Sequence, residues 1–593
     1  VTRGEGDPVR ARDGTSAGRG KATPGVFAAA GLIAALTLVA RVFGFGRWLV
    51  FSQSVGTTCV GSVYQAANQL PNVIFEVAAG GAMAAVAVPI IAVQLARKDE
   101  AAATATASAM LTWALTVLVP LSILLAAFAV PLSSFLVEDQ RCSGSTDLMA
   151  SMIVLFAPQI ALYGVGITLA GVLQAHRRFL GAALAPLLSS VVVIATYLLY
   201  AVLAQGNGDD LARLPSQAST VLAAGTTLGV VALSLPLLIP LHRAGIRLHP
   251  TWAFPDGVAR RARALAGAGL IALVAQQVAV LVTLWVSQHR GGTGTLNVYT
   301  YVQAVYLLPY AVLAVPVATA AFPAMASGPD RTAMATGPDQ TAMATVSAQA
   351  AMVTVSAQAA MAVGPALTSL DAAQRTLVAS VRAITAATCA AAAVLFAIAG
   401  PTGAFFSALD AGRNSPAGRE ALAALPDALS AFAPGLVGFG LAALLTRALY
   451  IHGRPAVAGG LVGLGWLIAA MVPLVLLQDD AGPRITLRSL GFASSFGMTV
   501  AAIALVVAVQ RAWGPRTFRG LGRSAAVALG SGVFSAAAGR ALAENLHPRG
   551  LVAGAAVALV VAFAVMALCA ASIWAGDPES ARLVAAKLRR GPR

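Results

Sequence analysis

The residues able to do chemistry in this chain are few, and the first are two arginines inside an apolar run. Arg41 and Arg47 are the ends of RVFGFGR. A guanidinium at the bilayer centre costs roughly 3 kcal/mol on insertion scales. A segment that keeps two of them needs a compensating partner, and a water-filled cavity that admits an anion supplies one. Six residues of helix advance about 9 Å and turn about 240°, so on a rigid helix the pair would point about 120° apart. Gly44 and Gly46 lie between them and allow a bend that turns both toward one cavity. Snorkelling to an interface is the competing role; it suits Arg47, near the end of its run, better than Arg41.

The next stretch is NQLPNVIFEVAAGGAMAAVAVPI. Pro71 removes a helix hydrogen bond and frees a carbonyl. Asn68, Asn72 and Glu76 recur at i, i+4 and i+8, which places them on one helix face. Such a stripe faces either a cavity or a neighbouring helix that it hydrogen-bonds. In an empty cavity Glu76 would offset the charge of Arg41 or Arg47. Taken together, Arg41, Arg47, Asn68, Asn72 and Glu76 are candidates for binding a large anionic lipid.

Little else in the chain suggests reactivity. The six histidines lie mainly in loops and form no H-E-x-x-H. Cys59, Cys142, Cys389 and Cys569 form no C-x-x-C, and there is no P-loop or nucleophile elbow. An enzyme is not indicated, and neither a cofactor nor a metal is implied.

Composition sets the class. Hydrophobic residues make up 58% and charged residues 10% of the chain, with mean hydropathy +0.79. A soluble domain carries about 25% charge. Apolar windows of about 20 residues, enough to span a bilayer, recur from end to end. Strand-type alternation is absent, so an all-α polytopic membrane protein is expected. The net charge of +16 follows topology rather than nucleic-acid binding, because the basic residues are spread over short loops and no nucleic-acid motif accompanies them.

About fourteen spans are expected, near 26–50, 61–95, 106–134, 148–174, 181–204, 216–241, 263–288, 296–325, 376–399, 428–451, 455–477, 490–510, 524–543 and 550–574. Arginines and lysines collect in alternate loops: Arg97 and Lys98, Arg177 and Arg178, Arg243 to Arg263, Arg454, and Arg511 to Arg523. Glu138, Asp139, Asp209, Asp210, Asp479 and Asp480 occupy the others. The positive-inside rule then puts both termini in the cytoplasm of a bacterial cell membrane.

The long basic connection follows the sixth span and suggests two six-helix lobes. The organisation read is a disordered tail over 1–25, an N-lobe over 26–241, a basic linker over 242–262, a C-lobe over 263–512, a final helix pair over 513–575 and a basic tail over 576–593. A short internal echo supports the repeat: LQAHRRF ends the fourth span and LYIHGRP the tenth. The loop over 326–375 holds four nine-residue units at 328–363, from GPDRTAMAT to VSAQAAMAV, and reads as a tolerant duplication. Topology puts Cys59 and Cys142 in the first two outer loops, where disulfides persist. They are the candidate disulfide, the alternative being two free thiols.

RVFGFGR, then LPN and a small-residue run ending in VP, resembles the opening of the MurJ/MviN family. These are the lipid II flippases of bacterial cell-wall synthesis, within the multidrug/oligosaccharidyl-lipid/polysaccharide exporter superfamily. GVLQAHRRFLGAALAP (171–186) and LLTRALYIHGRP (444–455) resemble later family junctions. The resemblance implies two lobes in a V around a central cationic cavity, with the last helix pair forming a groove for a polyprenyl tail. It matches Arg41 and Arg47 to family arginines and adds Arg447. It also shows departures: Phe75 and Glu76 stand where many members have two arginines, Gly80 where they have an acid, and Ala304 at a further arginine position. This is an actinobacterial-type pattern with a less basic cavity.

The implied partner is lipid II or a related polyprenyl-diphosphate glycolipid, beside membrane lipids and cell-wall synthesis proteins. A non-transporting scaffold for cell-wall synthesis and an exporter of another lipid-linked glycan or drug are the other functions in view. Buried arginines disfavour a cation exporter. No carboxylate is singled out for energy coupling.

Overall fold

The computed structural model describes residues 39–40, 42–137, 142–255, 258–326, 370–410, 416–515 and 517–576. Every regular element among them is helical. In hydrocarbon a backbone N–H or C=O finds no water, so helices that satisfy their own groups are the natural state of such apolar runs.

In the first half, α1 covers 42–54, α2 Cys59–Phe75 and α3 Gly81–Ala96, with a π-turn, Glu76–Gly80, joining the last two. There follow α4 (Glu100–Ala127), α5 (Ala129–Leu136), α6 (Ser145–Phe156), α7 (Gln159–Ala175), α8 (Phe179–Ala204), α9 (Ser216–Ser234) and α10 (Leu238–Arg243). The second half begins with α11 (Val258–Val286), α12 (Thr295–Pro309), α13 (Val315–Ala326), α14 (Leu370–Ala397) and α15 (Ala399–Leu409). It continues with α16 (Pro416–Ala423), α17 (Leu425–Phe432), α18 (Gly435–Ile451), α19 (Pro455–Leu476) and α20 (Gly482–Trp513), and ends with α21 (Leu521–Leu546) and α22 (Leu551–Gly576).

Among the described residues eleven helices are long and apolar enough to cross a membrane, or twelve if a bent pair counts as one span. The expected number of about fourteen is not confirmed. The first expected span lies partly outside the described residues, and the tenth is a broken one: Pro416–Phe432 and Gly435–Ile451 meet at 47°. Pro434 at the break explains the bend. The terminal tails and the nine-residue repeats lie outside the described residues.

The echo between the fourth and tenth expected spans is also a conformational one. After α7, Arg177 N–H donates to Gln174 O and Arg178 N–H to Leu173 O. After α18, Gly453 N–H donates to Tyr450 O and Arg454 N–H to Leu449 O. Both are the paired bonds of a Schellman cap, with the residue after the cap in the left-handed region: Arg177 at φ 59° and Gly453 at φ 66°. The left-handed geometry costs a non-glycine residue such as Arg177 about 1–2 kcal/mol.

A second correspondence joins α2 and α12. Each carries Leu-Pro, at 70–71 and 308–309, followed within the same helical run by a π-turn, Glu76–Gly80 and Tyr310–Ala314. Proline removes an N–H and the π-turn shifts the hydrogen-bond register, so both runs carry a local break without leaving the helix.

The basic connection between the halves does not hang free. Its backbone is strapped along α4, where His249 N–H donates to Ser108 Oγ (3.1 Å), Thr251 N–H to Thr112 Oγ1 (3.1 Å), and Trp113 Nε1 to Trp252 O (3.0 Å).

The two halves are stitched together around the turn at 55–58. Thr57 Oγ1 donates to Asp410 Oδ2 at 3.0 Å, and both residues are buried. Asn297 Nδ2 donates to Gly56 O (2.6 Å), Gly294 N–H to Ser62 Oγ (2.8 Å), and Gln288 Nε2 to Ser62 O (3.1 Å). Gly418 is obligatory here, since a Cβ would sit 2.5 Å from Thr57 Oγ1 and 2.7 Å from its carbonyl. Arg290, in the π-turn Ser287–Gly291, donates to the carbonyls of Leu474 (2.9 Å) and Leu477 (2.6 Å), neutralising the C-terminal end of α19.

Cys59, at the start of α2, is bonded to Cys142, with Cα atoms 6.2 Å apart and a sequence separation of 83. Cys389 and Cys569 are buried thiols. Closing a loop of that length stabilises by about 4 kcal/mol in the chain-entropy model. Non-reduced peptide mass spectrometry should recover Cys59 linked to Cys142 and the other two cysteines alkylatable after unfolding. Two free thiols at 59 and 142 in protein purified without reductant would exclude the bond.

Candidate functional site

Arg47 lies on α1, half-buried. Its guanidinium carbon is 5.5 Å from the centre of the Trp48 ring, an indole that lends the cation a π face. Its Nε is buried and has no hydrogen-bond partner among the described residues. The charge acts on three buried phenols, those of Tyr64, Tyr163 and Tyr197. Tyr64 bonds both Tyr197 Oη and Thr226 Oγ1 at 3.0 Å, so this aromatic floor is hydrogen-bonded within itself. Arg41 lies outside the described residues.

The polar stripe runs from α2 into the π-turn that follows it. Asn72 Nδ2 donates to Asn68 O of its own helix at 2.9 Å, a local bond that holds the amide down. Asn68 Oδ1 is buried without a partner. Both asparagines are half-buried. Glu76 opens the π-turn and is 9% exposed. Its Oε2 is buried without a hydrogen-bond partner, and no ion pair joins it to Arg47 among the described residues. Both Glu76 and Arg47 nevertheless act on Tyr163.

Glycine at position 80 makes room for that carboxylate. A Cβ at Gly80 would lie 2.5 Å from Glu76 Oε2. The resemblance puts a family acid at this position. The carboxylate that occupies the space here comes instead from one helical turn earlier.

Arg447, on α18, is buried at 5% exposure. Its Nη1 donates to Ala443 O of the same helix at 2.6 Å, and its charge acts on Tyr310 at the head of the second-half π-turn. Tyr310 in turn packs on Phe439, ring centres 4.5 Å apart. Each half thus holds an arginine whose charge acts on buried phenols: half-buried Arg47 on Tyr64, Tyr163 and Tyr197, and buried Arg447 on Tyr310. Arg47, Asn68, Asn72 and Glu76 belong to one neighbourhood, and Arg447 to the other.

Sequence reasoning did not find the phenols. A tyrosine inside an apolar span is a usable signal, because its hydroxyl needs a partner when buried. Nor did it single out Asp410, the buried carboxylate that binds the first half to the second across 353 residues.

A buried guanidinium with an unsatisfied donor is an unfavourable arrangement retained for a purpose. Replacing Arg47 by Met should therefore leave thermal stability in detergent unchanged or raised by about 1 kcal/mol. A drop of several degrees in the melting temperature would make Arg47 a structural residue.

The comparisons with known proteins agree with this architecture. The family model described as lipid II flippase MurJ matches residues 51–562. Asn68, Asn72, Glu76 and Arg447 fall inside that stretch, and Arg41 and Arg47 precede it. A probable lipid II flippase MurJ of Rhizobium meliloti (strain 1021) is 28% identical over 300 residues, 49% of this chain, and the chain spans about half the length (53%) of that relative. A solved lipid II flippase MurJ in an inward closed conformation aligns with TM-score 0.65 and 14% identity, over 92% of this chain and 98% of the other. An inward-facing multidrug resistance MATE transporter of the MOP superfamily aligns with TM-score 0.58 and 13% identity, over 81% and 97%. At these identities the solved structures establish a shared fold. The family match, which spans most of the sequence, establishes more: this chain is a member of the lipid II flippase MurJ family.

Proposed function

We propose that this protein is a flippase. It carries the polyprenyl-diphosphate-linked peptidoglycan precursor lipid II from the inner to the outer leaflet by alternating access. The observation that carries this reading is Arg47, a half-buried guanidinium with an unsatisfied donor inside a chain of this family. A diphosphate offers it charge-assisted hydrogen bonds, the strongest partners available to a guanidinium. In this reading Arg41, six residues earlier in the sequence, adds to the charge at Arg47, Arg447 supplies charge from the second half, and Asn68 and Asn72 are polar contacts.

In this reading, residues 26–241 and 263–512 are the two moving lobes and 242–262 connects them. The final pair over 513–575 supplies the surface for the polyprenyl tail. α21 and α22 pack on α14, and α22 also on α15. They leave Val533, Phe534, Val552 and Phe563 exposed for contact with lipid. Both termini are cytoplasmic, as the distribution of arginines between loops supports. The hydrogen bonds around Thr57 and Asp410 then lie at the outer face, where they hold that end shut.

In cells depleted of their own flippase, Arg47→Ala and Arg41→Ala should each abolish complementation at normal expression. Lysine should rescue only in part, because it lacks the planar fork. The readout is lipid II exposed on the outer leaflet, and full exposure with both arginines replaced by alanine would end the cationic-cavity reading.

Removing residues 328–363 in whole nine-residue units separates transport from scaffolding. The entropic cost of joining two elements changes only slowly with the length of the connection. Lipid II exposure should stay within about twofold of the parent, on the order of 0.4 kcal/mol. Lost growth with intact membrane insertion and intact lipid II exposure would favour a scaffold that recruits cell-wall synthesis proteins.

A further inference from the structure

Among the described residues no ion pair compensates the charge of Glu76. The residue is about nine-tenths buried within the apolar run over 61–95 that the sequence reads as a span, and Oε2 has no hydrogen-bond partner among the described residues. An ionised carboxylate in that setting is costly unless it is paired. The surroundings provide a seat for it. The π-turn Glu76–Gly80 places the side chain, and Gly80 leaves the space that Oε2 fills. π-turns inside helices are frequent at functional positions.

The π-turn packs against α2, α3, α4, α7 and α11. The titratable or charged groups these elements turn toward Glu76 are few. α7 contributes Tyr163, whose Oη donates to Gln159 Oε1 at 3.4 Å. α2 contributes Tyr64, already bonded to Tyr197 and Thr226. α3 has no ionisable residue. The acid of α4, Glu100, stands exposed at the far N-terminal end of that helix, and the stretch 270–286 of α11 has no ionisable residue. Among the described residues the further charge is Arg47, whose field reaches Tyr163 as that of Glu76 does; Arg41 lies outside the described residues.

We propose that Glu76 is a proton-binding site, and that its proton is linked to occupancy of the anion site at Arg47. When a diphosphate takes over Arg47, an ionised Glu76 would repel it, so the complex favours the neutral carboxyl. Protonation forms one O–H bond on the carboxylate with a proton from bulk water and removes one negative charge. Linkage is reciprocal: diphosphate binding draws in a proton, and diphosphate affinity falls as pH rises. The linked step rests on the diphosphate reading above; the proton site itself does not.

Two measurements on the full-length protein in nanodiscs test the two parts. In the ligand-free protein, a pH-difference infrared spectrum should contain a carboxyl C=O band that disappears in Glu76→Gln and persists, shifted, in Glu76→Asp. The same bands in wild type and Glu76→Gln would overturn the proton site. In the second measurement, farnesyl diphosphate is titrated calorimetrically in buffers of different ionisation enthalpy. Wild type should take up more protons on binding than Glu76→Gln, and its affinity should fall by up to about tenfold per pH unit beyond any fall in the variant. The probe's own titration is common to both proteins and cancels. Equal uptake and equal pH dependence would overturn the linkage. If farnesyl diphosphate fails to bind wild type, the diphosphate reading and the linkage both fall, and the infrared band alone decides the proton site.

Discussion

Inside hydrocarbon there is no water to solvate a polar atom, and the rest of this structure depends on that constraint. It makes every spanning run helical, and it explains what happens where a helix is interrupted. Arg447 turns back to the carbonyl of Ala443, and Asn72 turns back to that of Asn68. Arg290 covers the last carbonyls of α19. Serine and threonine hydroxyls throughout the spans bond the carbonyl one turn earlier, as Thr168 does to Gly164 and Thr388 to Ile384. Against that background an unsatisfied buried group carries information. Arg47 Nε and Glu76 Oε2 are two such atoms, and they stand around the same phenol.

The same constraint explains how the halves hold together. Their junction at the turn 55–58 is made of directional bonds to Gly56 O, Ser62 and Asp410, with Gly418 allowing close approach. Apolar contact alone gives little preference for one arrangement of helices over another when lipid is equally apolar. Hydrogen bonds that can be made in one arrangement and lost in another do give that preference. The disulfide beside them ties α2 to the segment before α6, within one half.

The departures from the family pattern acquire a local meaning. Phe75, standing where the family has an arginine, packs against Tyr163 with ring centres 5.5 Å apart, so an aromatic contact takes up that position. Glu76 and Gly80 exchange roles: the acid is absent at 80, and a carboxylate reaches into the same space from 76. Among the described residues no arginine forms an ion pair with Glu76.

Much was legible in the sequence because it depends on sums along the chain. Hydropathy is additive, so runs such as 181–204 and 455–477 declare themselves and reappear as α8 and α19. Cap chemistry is local, so QAHRR and YIHGR share one turn geometry. Broken runs were less legible. The bend before α18 and the π-turns within α2–α3 and α12–α13 depend on how neighbouring helices take up the strain of a proline, and span positions do not record it. The partners of the polar residues were decided by tertiary structure alone. Thr57 meets Asp410 over 353 residues, and the charge of Arg47 lies near enough to act on phenols of three other helices. A side chain's type states that it needs a partner. Only the packing of distant helices in a medium without water determines which atom that partner is, and which groups are left without one.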